Sequence, residues 1–255
     1  MKISIVTATF NSSLTVRDTL ESVLQQTYQD WELIIKDAGS KDNTIEICKG
    51  YSDNRIRVLL APDKGIYDAM NQGVEAATGD IVGILNSDDM YYDDQVLERI
   101  AEAFKDPEIG CVYGDLQFVD AKDTSRVVRE WKGSQYLEGG FREGWHPAHP
   151  TFYARRELFE KYGLFDTSFD VSADFELMLR FIERYHVKNL YLPYCFVRMR
   201  MGGESTGSIK NIIKGNRNIL RAFDKNGIKR PLFYTVRRLV PKAIGVIKTR
   251  LRINR

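Results

Sequence analysis

Four short apolar runs occupy the first 90 residues, each ending in a polar loop and separated from the next by a helical pattern. They are Ile3 to Thr7, Trp31 to Lys36, Ile56 to Leu60 and the run that begins at Ile81. A short run rich in branched residues reads as a strand buried on both faces, the habit of parallel sheets. The intervening segments supply the helices. Leu14, Leu20, Val23 and Leu24 give the first an apolar face, Ser40 or Asp42 caps one that runs through Tyr51, and a third spans Ile66 to Ala77 before a Gly79 stop. Such alternation predicts a Rossmann-like, mostly parallel α/β sheet flanked by helices. Beyond it the pattern predicts helices over Asp93–Phe104, Arg155–Tyr162 and Asp174–Tyr185. Strands are expected over Cys111–Asp120, Arg126–Trp131 and Lys188–Leu192, with a long loop from Gly133 to His149. The expected organisation is two halves of one domain, 1–90 and 91–205, then a basic helical segment, 206–255.

In an open α/β sheet the ligand crevice forms outside the carboxyl ends of the strands. The run from Ile81 stops at Asn86-Ser87-Asp88-Asp89, and the second strand stops at Asp37 beside Gly39. A carboxylate at one strand end can accept bonds from a base or ribose, and one at the next can hold a hard cation on phosphates. Together they make a nucleotide site. The plainer reading is that both acids belong to polar turns that cap helices. The chain has no Gly-x-Gly-x-x-Gly after its first strand and no Gly-x-x-x-x-Gly-Lys-Ser/Thr, so phosphate must be cradled by metal and side chains.

Three widely spaced cysteines, Cys48, Cys111 and Cys195, suggest neither a disulfide framework nor zinc. The start, Met1-Lys2-Ile3-Ser4, enters a strand pattern without a leader, and no apolar run reaches the roughly 18 residues of a membrane span. A cytoplasmic protein is expected. The net charge of +2 conceals an asymmetry: residues 225–255 carry ten Lys or Arg and no acid, leaving 27 basic against 35 acidic residues, a net of −8, in 1–224. Phe233, Val236, Val240, Ala243, Ile244, Ile247 and Leu251 fall at helical spacing among those cations, with Pro241 as a kink. A segment of this kind binds an anionic membrane surface, here the inner face of the cell membrane, or packs on the body or a second copy of the chain. The acidic body shows no aromatic platform for nucleic acid.

The ordered set of motifs resembles the inverting glycosyltransferases of family 2, which adopt the GT-A fold, over roughly residues 1 to 205. It comprises Val6-Thr7-Ala8-Thr9-Phe10-Asn11, Asp37-Ala38-Gly39-Ser40-Lys41-Asp42, Asp63-Lys64-Gly65-Ile66-Tyr67-Asp68-Ala69-Met70-Asn71-Gln72-Gly73, Gly79-Asp80 and Asn86-Ser87-Asp88-Asp89, then His149-Pro150-Thr151-Phe152 and Ala173-Asp174-Phe175-Glu176-Leu177. The subgroup it is most similar to builds bacterial surface polysaccharides. The resemblance implies a nucleotide-sugar donor, UDP-linked, a glycan or lipid-linked acceptor, and Mg2+ or Mn2+ as cofactor. It puts Thr7, Ala8, Thr9, Asn11, Asp37, Asp63, Lys64, Asn71, Ser87 and Asp88 around the nucleotide, with Asp88 as the metal ligand. Asn86 stands where the family's Asp-x-Asp has its first acid, and Met70 where many relatives have an arginine, so Lys64 is the candidate for the missing charge. Asp174 matches the catalytic base, with Ala173 in place of a common Glu. Trp145, His149 and Glu176 are candidates for the acceptor side, and Arg200 for a reach to the diphosphate.

Ordinary roles compete with several of these. Asp174 in a helix's first turn favours the dipole, His149 between prolines suits a structural loop, and Trp145 suits a loop anchor. Two other functions fit less well. A sugar nucleotidyltransferase needs a Gly-x-Gly-x-Arg loop after strand one, and Thr7 to Ser13 holds no glycine. A catalytically impaired relative acting as a membrane adaptor is allowed by Asn86 and Ala173.

Overall fold

A computed structural model describes residues 1–202, 209–231 and 234. Strands β1 (Ile3–Thr9), β2 (Trp31–Asp37), β3 (Ile56–Leu60) and β4 (Ile81–Ile84) form a parallel block in the order β3-β2-β1-β4. Ile3 lies opposite Trp31 on one side and Ile81 on the other. Because side chains alternate along a strand, β1 and β2 feed two cores. Ile3, Ile5, Leu33 and Ile35 pack on one face with Val16, Leu20 and Val23 of α1 (Val16–Leu24) and Cys48 of α2 (Thr44–Lys49). Val6 and Ile34 face the other side, against Met70 and Val74 of α3 (Ile66–Glu75). The approach of α3 is so close that a Cβ on Gly73 would lie 2.3 Å from Val6 Cγ1.

The second half extends the same sheet with mixed polarity. β8 (Tyr153–Arg155) adds antiparallel to β4, β6 (Cys111–Val119) antiparallel to β8, β9 (Asn189–Arg200) parallel to β6, and β5 (Met90–Tyr91) antiparallel to β9. β7 (Val127–Trp131) pairs with the far end of β6. The helices here are α4 (Val96–Ala103), α5 (Arg156–Tyr162), α6 (Ala173–Met178) and α7 (Ile209–Lys225).

Two elements differ from their sequence pattern. The strand expected to stop at Leu192 runs to Arg200, because the register jumps from Tyr113↔Tyr191 to Asp115↔Cys195 and the resulting bulge absorbs Pro193. The helix expected through Tyr185 is α-helical only to Met178 and continues as one π turn, Leu179–Arg184. There Arg180 pairs with Glu176 and bonds the carbonyls of Gly163 (2.8 Å) and Leu164 (2.7 Å). No helix among the described residues is long and apolar enough to cross a membrane. The apolar and cationic positions from Phe233 to Arg252 lie outside the described residues.

α7 braces the segment that leads into α6. Ile219, Ala222 and Phe223 enter the core, and the Phe223 ring meets Phe175 edge-on at 5.9 Å. Asn218 donates to the Val171 carbonyl (2.9 Å), Arg221 to that of Ser168 (3.0 Å), and Asn226 to Glu176 Oε1 (3.0 Å).

Two buried polar groups set measurable expectations. Glu32, 3% exposed, accepts bonds from Ser4 Oγ (2.7 Å), the Thr78 backbone (2.7 Å) and the Thr78 hydroxyl (2.9 Å), and pairs with Lys2 and Arg57. Burial alone would raise its pKa, but these bonds outweigh burial and hold it down to about 2. The free carboxyl titrates near 4.3, so the stabilisation is complete above about pH 5 and is lost as pH falls toward 2. Glu32→Gln is expected to lower stability by about 1–2 kcal/mol at pH 7, with the difference from wild type vanishing near pH 2 in urea melts. Asn71 on α3 accepts from the Phe165 backbone N–H (2.9 Å) and donates to its carbonyl (2.8 Å). Asn71→Ala strands both groups in the interior and is expected to cost about 2–4 kcal/mol in the same melts.

Candidate active site

The strand order reverses between β1 and β4, and the loops after the parallel strands share one edge of the sheet. The loop after β2 is built around Asp37. Its Oδ1 accepts from the backbone of Gly39 (2.8 Å) and Ser40 (2.7 Å), and its Oδ2 from Ser40 Oγ (2.6 Å) and Thr9 Oγ1 (2.8 Å). Burial raises its pKa, but the four donors prevail and keep it below the usual carboxylate value. Asp37 is thus the organiser that joins β1 to β2. Asn11, at a left-handed φ of 52°, docks the next loop by accepting from Lys41 N–H (2.9 Å) and donating its own N–H to Ser40 Oγ (2.8 Å). Ser87 meets Ser12 at 2.9 Å, and its carbonyl accepts from Thr15 Oγ1 at 2.9 Å.

The loop after β3 is set from below. Lys36, with no exposed side-chain surface, donates to Asp63 Oδ2 at 2.8 Å and to the Ala61 carbonyl at 2.7 Å. Lys64 is exposed, and its backbone N–H is held by Asp68 Oδ2 at 2.9 Å. Ala8 is half-buried at the edge of β1.

After β4, Asp89 is completely buried. It accepts from Asn86 Nδ2 (2.8 Å) and the Arg200 backbone N–H (3.1 Å), and burial, reinforced by the charge of Asp88, pushes its pKa up to about 8. Asp88 is half-buried; burial raises its pKa against the smaller opposing pull of Arg200 and His149. The Asp88 carboxylate is bonded by its own backbone N–H. A largely desolvated carboxylate suits a hard cation, and Mg2+ or Mn2+ commonly combines one or two carboxylates with substrate phosphates. Among the described residues no group of three or more His, Cys, Asp or Glu gathers to hold a metal. Asn86 has turned its amide toward Asp89.

Across the crevice, α6 presents Asp174. The residue before it, Ala173, follows Ser172 at a left-handed φ of 69°. Tyr67 Oη donates to Asp174 Oδ1 at 3.0 Å, and His149 Nδ1 stands 3.3 Å from Oδ2. Burial first, then the Asp174 charge, push the Tyr67 hydroxyl well above its usual range, so it stays a donor. His149 also lies close enough to Asp88 to act on it electrostatically. The structure therefore brings Asp88, His149 and Asp174 near one another, though 61 and 25 residues separate them in turn along the chain.

Other expected site residues take different places. Thr7 is 1% exposed and its side chain lies in the interior; Asn71 is spent on Phe165. Glu176 gives both carboxylate oxygens to Arg180 and Asn226, which assigns it to the bracing of α6. Trp145 is a loop anchor, bonded to Ser134 Oγ at 3.0 Å and packed among Tyr113, Tyr136 and Phe141. Arg200 is engaged by Asp18, the Asp88 carbonyl (3.2 Å) and the Ala121 carbonyl (3.1 Å), and so fastens β9 to the acidic loop. Tyr67 was not singled out from the sequence: it is 107 positions from Asp174, and no spacing rule connects them.

The Glycosyl transferase family 2 profile matches residues 4–185. The chain is 32% identical over 180 residues to a "PGL/p-HBAD biosynthesis glycosyltransferase" of Mycobacterium bovis, covering 69% of this chain and 68% of that one. S. aureus TarS 1-349 in complex with UDP-GlcNAc superposes with a TM-score of 0.63 at 16% identity, over 93% of this chain and 68% of that one. Mannosyltransferase PcManGT from Pyrobaculum calidifontis, in complex with GDP-Man and Mn2+, gives a TM-score of 0.65 at 19% identity, over 90% of this chain and 65% of that one. These solved structures share the GT-A fold with the sheet described above. On the profile match and the mycobacterial likeness together, the chain belongs to glycosyl transferase family 2 and is a glycosyltransferase.

Proposed function

We propose that the protein moves a sugar, with inversion, from a UDP-linked donor to a hydroxyl of a glycan or lipid-linked acceptor in surface-polysaccharide synthesis. The observation that carries this reading is the pairing of two acids about His149: Asp88, largely desolvated, and Asp174, held by Tyr67 and facing His149. Nucleotide sugars bound in the two solved structures, one of them with Mn2+, support the donor class and the cation. The basic segment 225–255 supports attachment at an anionic membrane surface on the cytoplasmic side.

The roles follow from charge. Breaking the bond between the anomeric carbon and phosphate leaves an oxocarbenium-like sugar and a diphosphate that gathers negative charge. Asp88 is the residue that would hold Mg2+ or Mn2+, and the cation would supply Lewis-acid stabilisation of the leaving diphosphate. The loops anchored by Asp37 and by Lys36 with Asp63 frame the nucleotide. On the opposite face the acceptor hydroxyl loses its proton toward Asp174. A proton-accepting carboxylate opposite the leaving group accords with inversion, as in inverting glycoside hydrolysis.

Two measurements test this. Calorimetric titration of UDP in the presence of Mn2+ is expected to weaken about a hundredfold with EDTA or in Asp88→Asn. Unchanged binding removes Asp88 from the metal. Asp174→Asn is expected to keep UDP affinity and lose about 10²–10⁴-fold in sugar transfer. Transfer at the wild-type rate refutes the assignment.

A further inference from the structure

Tyr67 lies in the first turn of α3, two positions past Gly65, and so continues directly from the Asp63-Lys64-Gly65 loop that follows β3. Its hydroxyl donates to Asp174 Oδ1 at 3.0 Å. We infer that Tyr67 is a positioning residue for sugar transfer, its hydroxyl fixing the Asp174 carboxylate in place relative to the loops that frame the nucleotide. This deepens the transfer reading above and rests on it.

α3 holds the segment that carries Asp174 at both ends. Tyr67 and Asn71, four residues apart, share one face of that helix. Asn71 clamps the near end through its paired bonds with the Phe165 backbone (2.9 and 2.8 Å), and the Phe165 ring stacks on that of Tyr67 at 5.9 Å and 25°. The hydroxyl of Tyr67 clamps the far end. Besides donating to Asp174, its oxygen accepts from the backbone N–H groups of Ala173 and Ser172, at the entry to α6. Ser172 makes that entry at a left-handed φ of 69°, a conformation that a residue other than glycine keeps only where its neighbours hold it. Because α3 is itself set on the sheet by the close approach of Gly73 to Val6, both clamps refer Asp174 back to β1.

Packing alone does not account for this residue. A phenylalanine would give the same stack on Phe165 and would bury no hydroxyl, whose removal from water costs free energy unless it is bonded. The bonds of this hydroxyl go to the start of α6. Burial, then the charge of Asp174, push it well above its usual range, so Tyr67 keeps its proton while the carboxylate works. In the step it serves, the acceptor oxygen bonds to the anomeric carbon as the bond from that carbon to the diphosphate oxygen breaks, the electron pair leaving with the nucleoside diphosphate. The acceptor's proton goes to the Asp174 carboxylate.

The test follows nucleoside-diphosphate release with Mn2+ from a panel of UDP- and GDP-sugars, with water and simple alkyl glycosides as acceptors, and uses the pair turned over fastest. Tyr67→Phe, which keeps the ring and removes the hydrogen-bond donor, is expected to lower kcat by about 10–100-fold with the nucleotide-sugar KM within about twofold. In single turnovers in an Asp174→Ala background the same change is expected to cost less than about twofold, because no carboxylate is left to position. A Tyr67→Phe enzyme with kcat within about threefold of wild type overturns the assignment. So does a loss that falls on the nucleotide-sugar KM with kcat unchanged, which makes the hydroxyl a support of the nucleotide loops alone. A loss that persists undiminished in the Asp174→Ala background overturns it too, since Tyr67 then acts without the acid. These three outcomes leave the transfer reading standing. Should wild-type protein release nucleoside diphosphate from no member of the panel, the transfer reading falls, and this assignment with it.

Discussion

The parallel pairing of β1 with a strand on each side is the constraint from which the rest follows. With β2 and β4 both running in its direction, their carboxyl ends and that of β3 open on one edge, and the loops that leave them have to share it. A parallel strand buried on both faces needs a helix above and below, which fixes α1 and α3 against alternate residues of β1. The tolerance is small. Val6 and Gly73 touch so closely that α3 has one acceptable height above the sheet, and that height in turn sets where Tyr67, at the start of α3, meets α6.

Within that frame the crevice joins two kinds of acid. Asp37 and Asp63 have donors from neighbouring residues on their oxygens and shape loops, whereas Asp88 is bonded by its own backbone N–H and Asp174 has partners that keep it aimed. The distinction matters chemically. A carboxylate saturated by four donors is a fixture, and one left with fewer in a partly dry place attracts a cation or a proton. The same sequence motif thus distributes architecture and chemistry between residues that look alike in one dimension.

That is also where reading the sequence succeeds and where it stops. Apolar runs and the polar loops after them disclosed β1 to β4 and pointed to Asp37 and Asp88 as candidates, since periodicity and turn chemistry are local, whereas Asp174 was a candidate only through the motif resemblance. β8 has three residues and β5 two, too short for any periodic signal; both exist because the sheet offers them partners. The continuation of β9 past Pro193 depends on a bulge that only the register with β6 supplies. Asn71 and Glu176 sit in motifs alongside catalytic candidates, yet their partners, Phe165, Arg180 and Asn226, are decided by tertiary packing. The meeting of Tyr67, His149 and Asp174 is of the same kind, a product of three separate elements converging.

The brace that α7 lays on the approach to α6 has a further consequence. Glu176 completes its bonding only when Asn226 arrives, and the segment from Ser168 to Val171 is tied down by residues of that same late helix. During synthesis, therefore, the approach to α6 and the helix that carries Asp174 gain their last partners only once α7 and Asn226 have been made. A ribosome must deliver the chain through Asn226 before the crossing between the two halves of the sheet is fully braced, so the order of synthesis runs against the order in which that region can settle.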